Sequence, residues 1–356
     1  MHLEPRPQLP GAAALAAPAL AAAGAVAFTL AVCALLVLWA GAPVGRAYAA
    51  LLVGGFGSRF ALAETLTRAT PLILTGLAAA VAFRARFFNI GAEGQLYLGA
   101  LAAVAVGGLY GGAGGLPAPL LFVAMFVAAM AAGAAWLVVP ALLRTRLAVD
   151  EVVTTLLLNF VVMLFVGWML DGPMKDPLAM GWPQSVSLDS ALELPKLIER
   201  TRVHAGLLLA LVAALAVWAV VKFTAFGFEM RAVGANAAAA RFAGIPVGRT
   251  VLKTALLSGA LAGLAGAVEV AGRAGYVTLD MSPGYGYAGI VVAMLAALNP
   301  LAVVAAAVFI AGMFVGADGM SRAVGVPTYI ADVIVAVALL ATLVATLLVR
   351  YRVRWK

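Results

Sequence analysis

The chain has 356 residues, of which 65% are hydrophobic and only 11% are charged. A soluble protein of this length cannot hide so much apolar surface, so the composition excludes that class and predicts a polytopic helical membrane protein. A net charge of +8 would suggest a nucleic-acid partner in a soluble protein. In a membrane protein the placement of the charges indicates orientation instead, and we expect no nucleic acid.

Ten apolar runs predict ten transmembrane helices, since the runs reach about 20 residues without strict polar and apolar alternation. The predicted spans are 18–41, 68–86, 94–111, 117–143, 150–170, 204–222, 250–271, 284–298, 300–317 and 327–349. The first run is too long for the core of a secretory signal, so we expect an uncleaved span. The eighth is about 15 residues long, which fits a half-helix or a re-entrant segment better than a full crossing.

The basic residues favour cytoplasmic N and C termini. In that orientation the inside segments carry 14 of the 23 Lys and Arg residues, four of them at the very end of the chain. The chain then divides into a cytoplasmic tail (1–17), a transmembrane domain (18–349) and a basic cytoplasmic tail (350–356). Two long polar loops interrupt the transmembrane domain: 172–203 lies outside, and 226–249 lies inside.

Two glycine-rich polar breaks interrupt the apolar pattern. The first runs from Asn89 to Gln95, before the third span, and the second from Ser282 to Tyr287, at the eighth. Spans two to five and seven to ten run in opposite directions, so the breaks occupy matching positions in two inverted four-helix repeats. Backbone freed by a break survives at membrane depth only when it packs in protein or lines a wet cavity. The breaks therefore predict a substrate route.

The predicted substrate pathway combines polar and aromatic residues of the two breaks and the fifth span: Asn89, Glu93, Gln95, Asn159, Tyr285 and Tyr287. Tyrosine rings could stack on a ring-shaped solute, but tyrosines also gather at membrane interfaces without any ligand. Glu93 could equally be a structural tie between helix ends, and Asn159 could bridge helices.

Two pairs of charged residues have structural interpretations. Asp150 and Glu151 stand at the start of the fifth span, where the positive end of the helix dipole favours capping by carboxylates. Glu269 and Arg273 are four residues apart and lie on one helical face, so we expect them to neutralise one another.

The inner loop contains a short helix with clear ends. Asn236 is a favourable N-cap, residues 237–243 are mostly alanine, and Gly244 followed by Pro246 predicts a stop. A helix of seven residues is about 10 Å long. Its polar flanks suit an interface with a soluble partner, although an ordinary surface helix between spans has the same pattern.

Five segments resemble the permease subunits of bacterial ABC importers for simple sugars and nucleosides, in particular the nucleoside-type permeases that work with a basic-membrane-protein-like lipoprotein. The segments are 89–95, 149–159, 172–177, 231–244 and 286–294. The resemblance implies a ten-helix permease in the bacterial inner (plasma) membrane. Its partners would be membrane lipid, a second permease subunit, an extracytoplasmic substrate-binding lipoprotein and an ABC ATPase subunit.

The resemblance also implies that this chain is no enzyme and binds no cofactor, because ATP with Mg²⁺ would sit on the ATPase. In the family, the segment that matches residues 234–244 is the coupling helix. The coupling residues predicted for this chain are Glu229, Arg231, Gly234, Asn236, Arg241 and Gly244. Asp150 departs from the family, where an asparagine is expected, which leaves its role open.

The predicted function is the membrane-spanning subunit of an ATP-driven importer for a nucleoside or a simple sugar. A branched-chain amino acid permease of the same architecture is one alternative. A second is a proton-coupled secondary transporter, with Glu93 or Asp332 as the proton site. A third is an intramembrane hydrolase built on Ser321 and His204, which would require those two side chains to meet.

Overall fold

The computed structural model describes residues 2–5, 12–109, 117–327 and 351–354, together with seven single positions between 329 and 344. The helices of this described part are α1 (Ala12–Trp39), α2 (Val44–Phe56), α3 (Arg59–Arg84), α4 (Ala92–Val104), α5 (Ala118–Leu147), α6 (Glu151–Asp171), α7 (Gly206–Phe223), α8 (Ala225–Ala235), α9 (Ala237–Phe242), α10 (Val247–Glu269), α11 (Tyr285–Leu295) and α12 (Pro300–Val324). Two short strands, β1 (His2–Pro5) and β2 (Tyr351–Arg354), pair antiparallel.

Six helices of the described chain are long and apolar enough to cross a membrane: α3, α5, α6, α7, α10 and α12. The pair α1 and α2, bent by 115°, would count as a seventh. The predicted class, a helical polytopic membrane protein, is thereby confirmed. The ten crossings, the inverted repeats and the orientation of the termini stay predictions, and most of the tenth predicted span, with Asp332, lies outside the described residues.

The chain forms two compact units, Met1–Thr65 with Phe309–Lys356, and Leu66–Val308. In the first unit, α2 packs on the second half of α12 backbone to backbone, since a Cβ on Gly55 would collide with the carbonyl group of Gly312. Small residues at a crossing allow two helices this close approach in a membrane. The sequence did not predict α2, because its 13 residues are too few for a span.

Helix α10 forms the core of the second unit, where it packs against both α4 and α5. Gly99 of α4 and Gly133 of α5 lie against Gly263 of α10, and a Cβ on Gly99 or Gly133 would collide with the backbone of α10. No side chain separates these helices at the crossings. The three helices therefore form one closely packed block.

Two helices of this unit are too short to cross a membrane alone. Helix α4 has 13 residues and α11 has 11, so they are about 20 Å and about 16 Å long, against a hydrocarbon core of about 30 Å. The short α11 agrees with the half-helix predicted from the length of the eighth apolar run. The third predicted span corresponds to α4, which a π-helical turn at Ala105–Leu109 continues.

The ends of the half-helices are fixed by hydrogen bonds. At one end of the unit, the Arg84 guanidinium, which closes α3, donates to the carbonyl of Leu298 just after α11 (2.6 Å). Near the middle, the Asn89 side chain donates to the hydroxyl of Ser258, halfway along α10, at the start of α4 (3.0 Å). Helix α11 therefore runs toward the Arg84 end, whereas α4 starts beside the middle of α10 and runs away from that end.

The loop predicted for residues 172–203 is ordered and covers the opposite end of the unit. The amide of Asp189 donates to the carbonyl of Gly107 in the π-helical turn after α4 (3.4 Å). The amide of Leu188 donates to the carbonyl of Gly275, where the segment leading to α11 begins (2.7 Å). Helix α4 thus ends where the path to α11 begins, so the two half-helices are antiparallel.

Candidate functional site

The first break is organised by a pair of amide side chains. Asn89 Nδ2 donates to Gln95 Oε1, and Gln95 Nε2 donates back to Asn89 Oδ1, both at 2.9 Å. Asn89 Oδ1 also accepts from the amide of Gly91 (2.9 Å), and Nδ2 also reaches Ser258. Both amides are completely buried. They close the turn before α4 and have no polar group left facing open space.

Helix α6 supplies the other partners of the first break. Glu151, Thr155 and Asn159 follow one another at intervals of four residues, so they lie on one helical face. Glu151 accepts from the amide of Phe88 (3.1 Å), and Thr155 accepts from the amide of Ile90 (3.1 Å). Irregular backbone at membrane depth needs such internal partners. This polar face of α6 therefore holds the break in place.

Asn159 makes the densest set of these contacts. Its Oδ1 accepts from the amide of Gly94 in α4 (2.9 Å), and its Nδ2 donates to the carbonyl of Ile90 (2.9 Å). The same Nδ2 donates to the hydroxyl of Tyr287 in α11 (3.1 Å). Asn159 thus bridges three elements, which is the structural alternative named above for a polar residue within a span.

The second break receives its partners from several elements. The Tyr97 hydroxyl donates to the carbonyl of Leu279 (2.7 Å) and accepts from the amide of Ser282 (3.2 Å). The Ser282 hydroxyl oxygen in turn accepts from the amide of Tyr285 at the start of α11 (2.9 Å). The Thr75 hydroxyl of α3 donates to the carbonyl of Tyr285 (2.9 Å).

The two breaks meet at Glu93. One of its carboxylate oxygens accepts from the amide of Gly286 in the first turn of α11 (2.6 Å). Glu93 itself stands in the first turn of α4, so a single carboxylate lies at the N-termini of both half-helices, where negative charge is favoured. A Cβ on Gly286 would collide with the backbone of Glu93. The sequence predicted two matching breaks, and the structure brings them into contact.

Most of the predicted pathway residues are buried. Asn89, Glu93, Gln95, Asn159 and Tyr285 are exposed to at most 5%, whereas Tyr287 is 41% exposed. The structure therefore brings all six together around one junction but leaves only the Tyr287 ring facing outward. Whether they touch a solute stays a prediction.

The charged pairs agree with the sequence in part. Asp150 caps α6, accepting from the amides of Val152 (2.7 Å) and Val153 (3.4 Å), which gives this residue a structural role. Glu151 was expected to cap the helix too, but its carboxylate binds Arg144 of α5 and the first break instead.

Glu269 and Arg273 form the predicted ion pair. The other Glu269 oxygen, Oε2, is buried without a hydrogen-bond partner in the described chain. His204 Nε2, in the loop before α7, is the second such atom among the described residues, and the imidazole packs on Gly272 in the π-helical turn after α10. Burial and the positive charge of Arg273 lower the pKa of His204 to about 4, so its imidazole is neutral near pH 7.

The short helix of the inner loop has the predicted ends. Asn236 Oδ1 accepts from the amides of Ala238 (3.0 Å) and Ala239 (3.1 Å), and Gly244 follows α9 with φ of +83°. At this end Phe242 is 97% exposed and Arg241 is exposed as well. Helix α9 therefore presents both side chains at the surface.

Three other predicted coupling residues contact neighbouring helices, although Arg231 itself is exposed. Glu229 accepts a hydrogen bond from the Thr250 hydroxyl (3.2 Å), and the Arg231 guanidinium donates to the carbonyl of Val221. Gly234 is buried, and a Cβ there would collide with the carbonyl oxygen of Arg84. These contacts tie α8 to α7, α10 and α3.

Sequence reasoning missed several residues that hold the junction, above all Thr75, Tyr97 and Thr155, and it named Ser282 only as the start of the second break. Only Thr155 carried a usable signal, because polar residues at 151, 155 and 159 repeat at helical spacing in an otherwise apolar span. The others are single polar residues, and their partners depend on which helices become neighbours.

A family model described as branched-chain amino acid transport system, permease component, matches residues 61–352. The chain is 40% identical to a glucose ABC transporter permease protein of Haloferax volcanii, over 86% of this chain and 82% of the relative. It is 37% identical to a guanosine ABC transporter permease protein of Bacillus subtilis, over 89% and 90%. It is 30% identical to a nucleoside ABC transporter permease protein of Lactococcus lactis, over 81% and 80%. No solved structure matches the chain at a significant level.

Proposed function

The chain belongs to the family of branched-chain amino acid transport system permease components, and from that premise we propose that it forms the translocation pathway of an ATP-driven importer for a nucleoside or a simple sugar. Membership makes it a multi-pass transport subunit of an ABC importer, which works with an ATPase and a substrate-binding protein. The finer statements below are proposals.

The substrate class rests on the relatives. Those named for glucose, guanosine and nucleosides are 30% to 40% identical to the chain over most of its length. Glucose and nucleosides share a polyhydroxylated sugar, which a site of tyrosine and amide side chains suits. The branched-chain amino acid alternative is supported by the family description alone.

The observation that carries the proposal is the junction of Glu93 with Gly286. Two antiparallel half-helices whose N-termini meet near mid-depth are the geometry by which inverted repeats build a transport site. We place the solute beside this junction, against the exposed ring of Tyr287, with Asn159 orienting the tyrosine hydroxyl. The buried residues Asn89, Glu93, Gln95 and Tyr285 form the wall behind it.

The orientation and the partners follow the same proposal. Ten helices in two inverted repeats, with cytoplasmic termini, would place α9 on the cytoplasmic side for the ATPase and loop 172–203 outside for the binding lipoprotein. The pairing of β1 with β2 supports termini on one side of the membrane. A second permease subunit would complete the pathway in the bacterial inner (plasma) membrane, and Mg²⁺ and ATP would bind the ATPase rather than this chain.

The direct test is uptake by proteoliposomes that contain the chain with a second permease, the ATPase and the binding lipoprotein. We expect labelled guanosine or glucose to accumulate only with ATP, and the chain alone to accumulate neither. Accumulation by the purified chain without an ATPase would overturn the proposal. Competition with unlabelled leucine tests the amino acid alternative, because that permease would be blocked.

The proton-coupled alternative makes Glu93 indispensable as a proton carrier. In our proposal its carboxylate accepts a hydrogen bond from Gly286, and a glutamine oxygen can accept the same bond. We therefore expect Glu93→Gln to retain ATP-driven uptake within about threefold, because one similar acceptor replaces another. Uptake that follows a proton gradient and vanishes in this variant would favour the alternative.

A further inference from the structure

A cavity of about 370 Å³ opens beside α9, at the end of the second unit where α3 ends. Four other elements meet α9 there: the turn after α3, the end of α5, α8 and the start of α10. Its lining comprises Ala85, Arg86, Arg144, Thr145, Val233, Ala237, Arg241, Val247, Gly248 and Val251.

The charges of this cavity are all of one sign. Arg86, Arg144 and Arg241 line it, and no carboxylate does. Arg144 is held by its ion pair with Glu151 and by the face of the Phe87 ring, 5.6 Å away. In the described chain, Arg86 and Arg241 have neither a hydrogen-bond nor an ion-pair partner. Converging guanidinium groups in a concave site attract an anion and can bind a carboxylate with two parallel hydrogen bonds.

We propose that this cavity receives an aspartate or glutamate side chain of the ATPase when that protein docks on α9. The inference rests on the proposed function, which supplies the partner. Ala237 and Arg241 of α9 form one wall of the cavity, so a protein seated on this helix also covers the cavity. The exposed Phe242 at the end of α9 supplies an apolar contact beside the charged one.

The cavity is connected to the first break through one carboxylate. Glu151 Oε1 accepts from Arg144, which lines the cavity, and from the amide of Phe88 in the break. Arg86 lines the cavity and lies two residues before Phe88 in the same turn. An acidic side chain that binds Arg86 and Arg144 therefore competes with Glu151 for Arg144. Docking of the ATPase is in this way communicated to the segment that starts α4.

The test compares two cavity variants, Arg86→Gln and Arg241→Gln, with Arg146→Gln, an exposed arginine at the same end of α5 that does not line the cavity. Each permease is placed in nanodiscs of neutral phosphatidylcholine, and its affinity for the purified ATPase is measured at low and high salt. We expect Kd to rise about tenfold for each cavity variant, because an attraction between opposite charges is lost, and to rise less at high salt, because salt already screens that attraction in the wild type. Arg146→Gln should stay within about twofold of the wild type.

Two results would overturn the inference. One is an unchanged Kd for both cavity variants. The other is a loss that appears only in nanodiscs containing anionic phosphatidylglycerol, which would assign the cavity to a lipid phosphate. Wild-type permease that fails to bind the ATPase would contradict the proposed function itself, so the two failures are distinguishable. Arg86 and Arg241 are both exposed, and a size-exclusion profile matching the wild type shows that each variant is folded.

Discussion

The two breaks have the same outline but are supported differently. The first break is held mainly by one helix, because the amides of Phe88, Ile90 and Gly94 all donate to a single polar face of α6. The second break has no such support. Its partners come from α3, α4 and α6, with Thr75, Tyr97 and Asn159 among them.

This difference predicts that the first break is rigid and that the second is mobile. A segment bound to one helix moves with that helix as a unit. A segment whose hydrogen bonds lead to several elements must exchange partners whenever those elements shift. We therefore expect the first break to keep its hydrogen bonds during transport. The second break is expected to exchange hydrogen-bond partners as the neighbouring elements move.

The largest effect is expected where the breaks touch. Gly286→Ala places a Cβ against the backbone of Glu93 and should force α4 and α11 apart. Overpacking of this kind should lower the free energy of unfolding by about 3 kcal/mol, measured by denaturant titration in detergent. Gly167→Ala is the matched control, because a Cβ at Gly167 has open space around it. Equal stability of the two variants would mean that the breaks do not depend on their contact.

The next effect compares the supports of the two breaks. Asn159→Ala leaves the amide of Gly94 and the carbonyl of Ile90 without their side-chain partner, so we expect a loss of about 2 to 3 kcal/mol in the free energy of unfolding. Ser282→Ala should cost about 1 kcal/mol, because the amide of Tyr285 lies at a helix start. The same titration measures both variants. A larger loss of unfolding free energy for Ser282→Ala than for Asn159→Ala would mean that the second break, rather than the first, is the rigid one.

Acidification should act on the second break. His204 packs on the turn that leads to this break, and its pKa is lowered to about 4, so folding requires the neutral imidazole. The stability it contributes is present above its ordinary pKa of 6.5 and is lost as the pH falls toward 4. We expect hydrogen exchange of residues 275–284 to accelerate over this range. In His204→Gln that acceleration should be weaker, and an identical pH profile would exclude the role of His204.

The smallest effect is expected from Tyr287→Phe. The change removes an acceptor for Asn159, but the ring is partly exposed and water can replace the hydroxyl, so we expect less than about 1 kcal/mol in stability. A solute that uses the hydroxyl should bind the assembled importer several-fold more weakly, by equilibrium dialysis. Unchanged binding would remove Tyr287 from the proposed pathway.

Local sequence features predicted much of this arrangement. Asn236 and Gly244 bound a helix because capping depends on neighbouring residues alone, and Glu269 pairs with Arg273 because four residues make one helical turn. The first break was visible because glycines and polar groups stand out in an apolar run.

What depends on neighbouring helices could not be predicted. The burial of the Tyr285 ring is one example, since a tyrosine in a break has the same sequence pattern whether its ring is buried or exposed. Glu151 was expected to cap a helix, but its partner Arg144 became available only once α5 and α6 packed together. The docking of loop 172–203 on π-helical turns uses backbone groups, which leave no pattern of residue types.

The glycine contacts of α10 with α4 and α5 have a mechanical consequence. Where backbone touches backbone, no rotamer can change to absorb sliding, so Gly99, Gly133 and Gly263 join their helices into a rigid body. Spectroscopic labels attached to these three helices should keep constant separations through the whole cycle. The three labelled helices would then provide a fixed reference frame for measuring the displacement of every other segment.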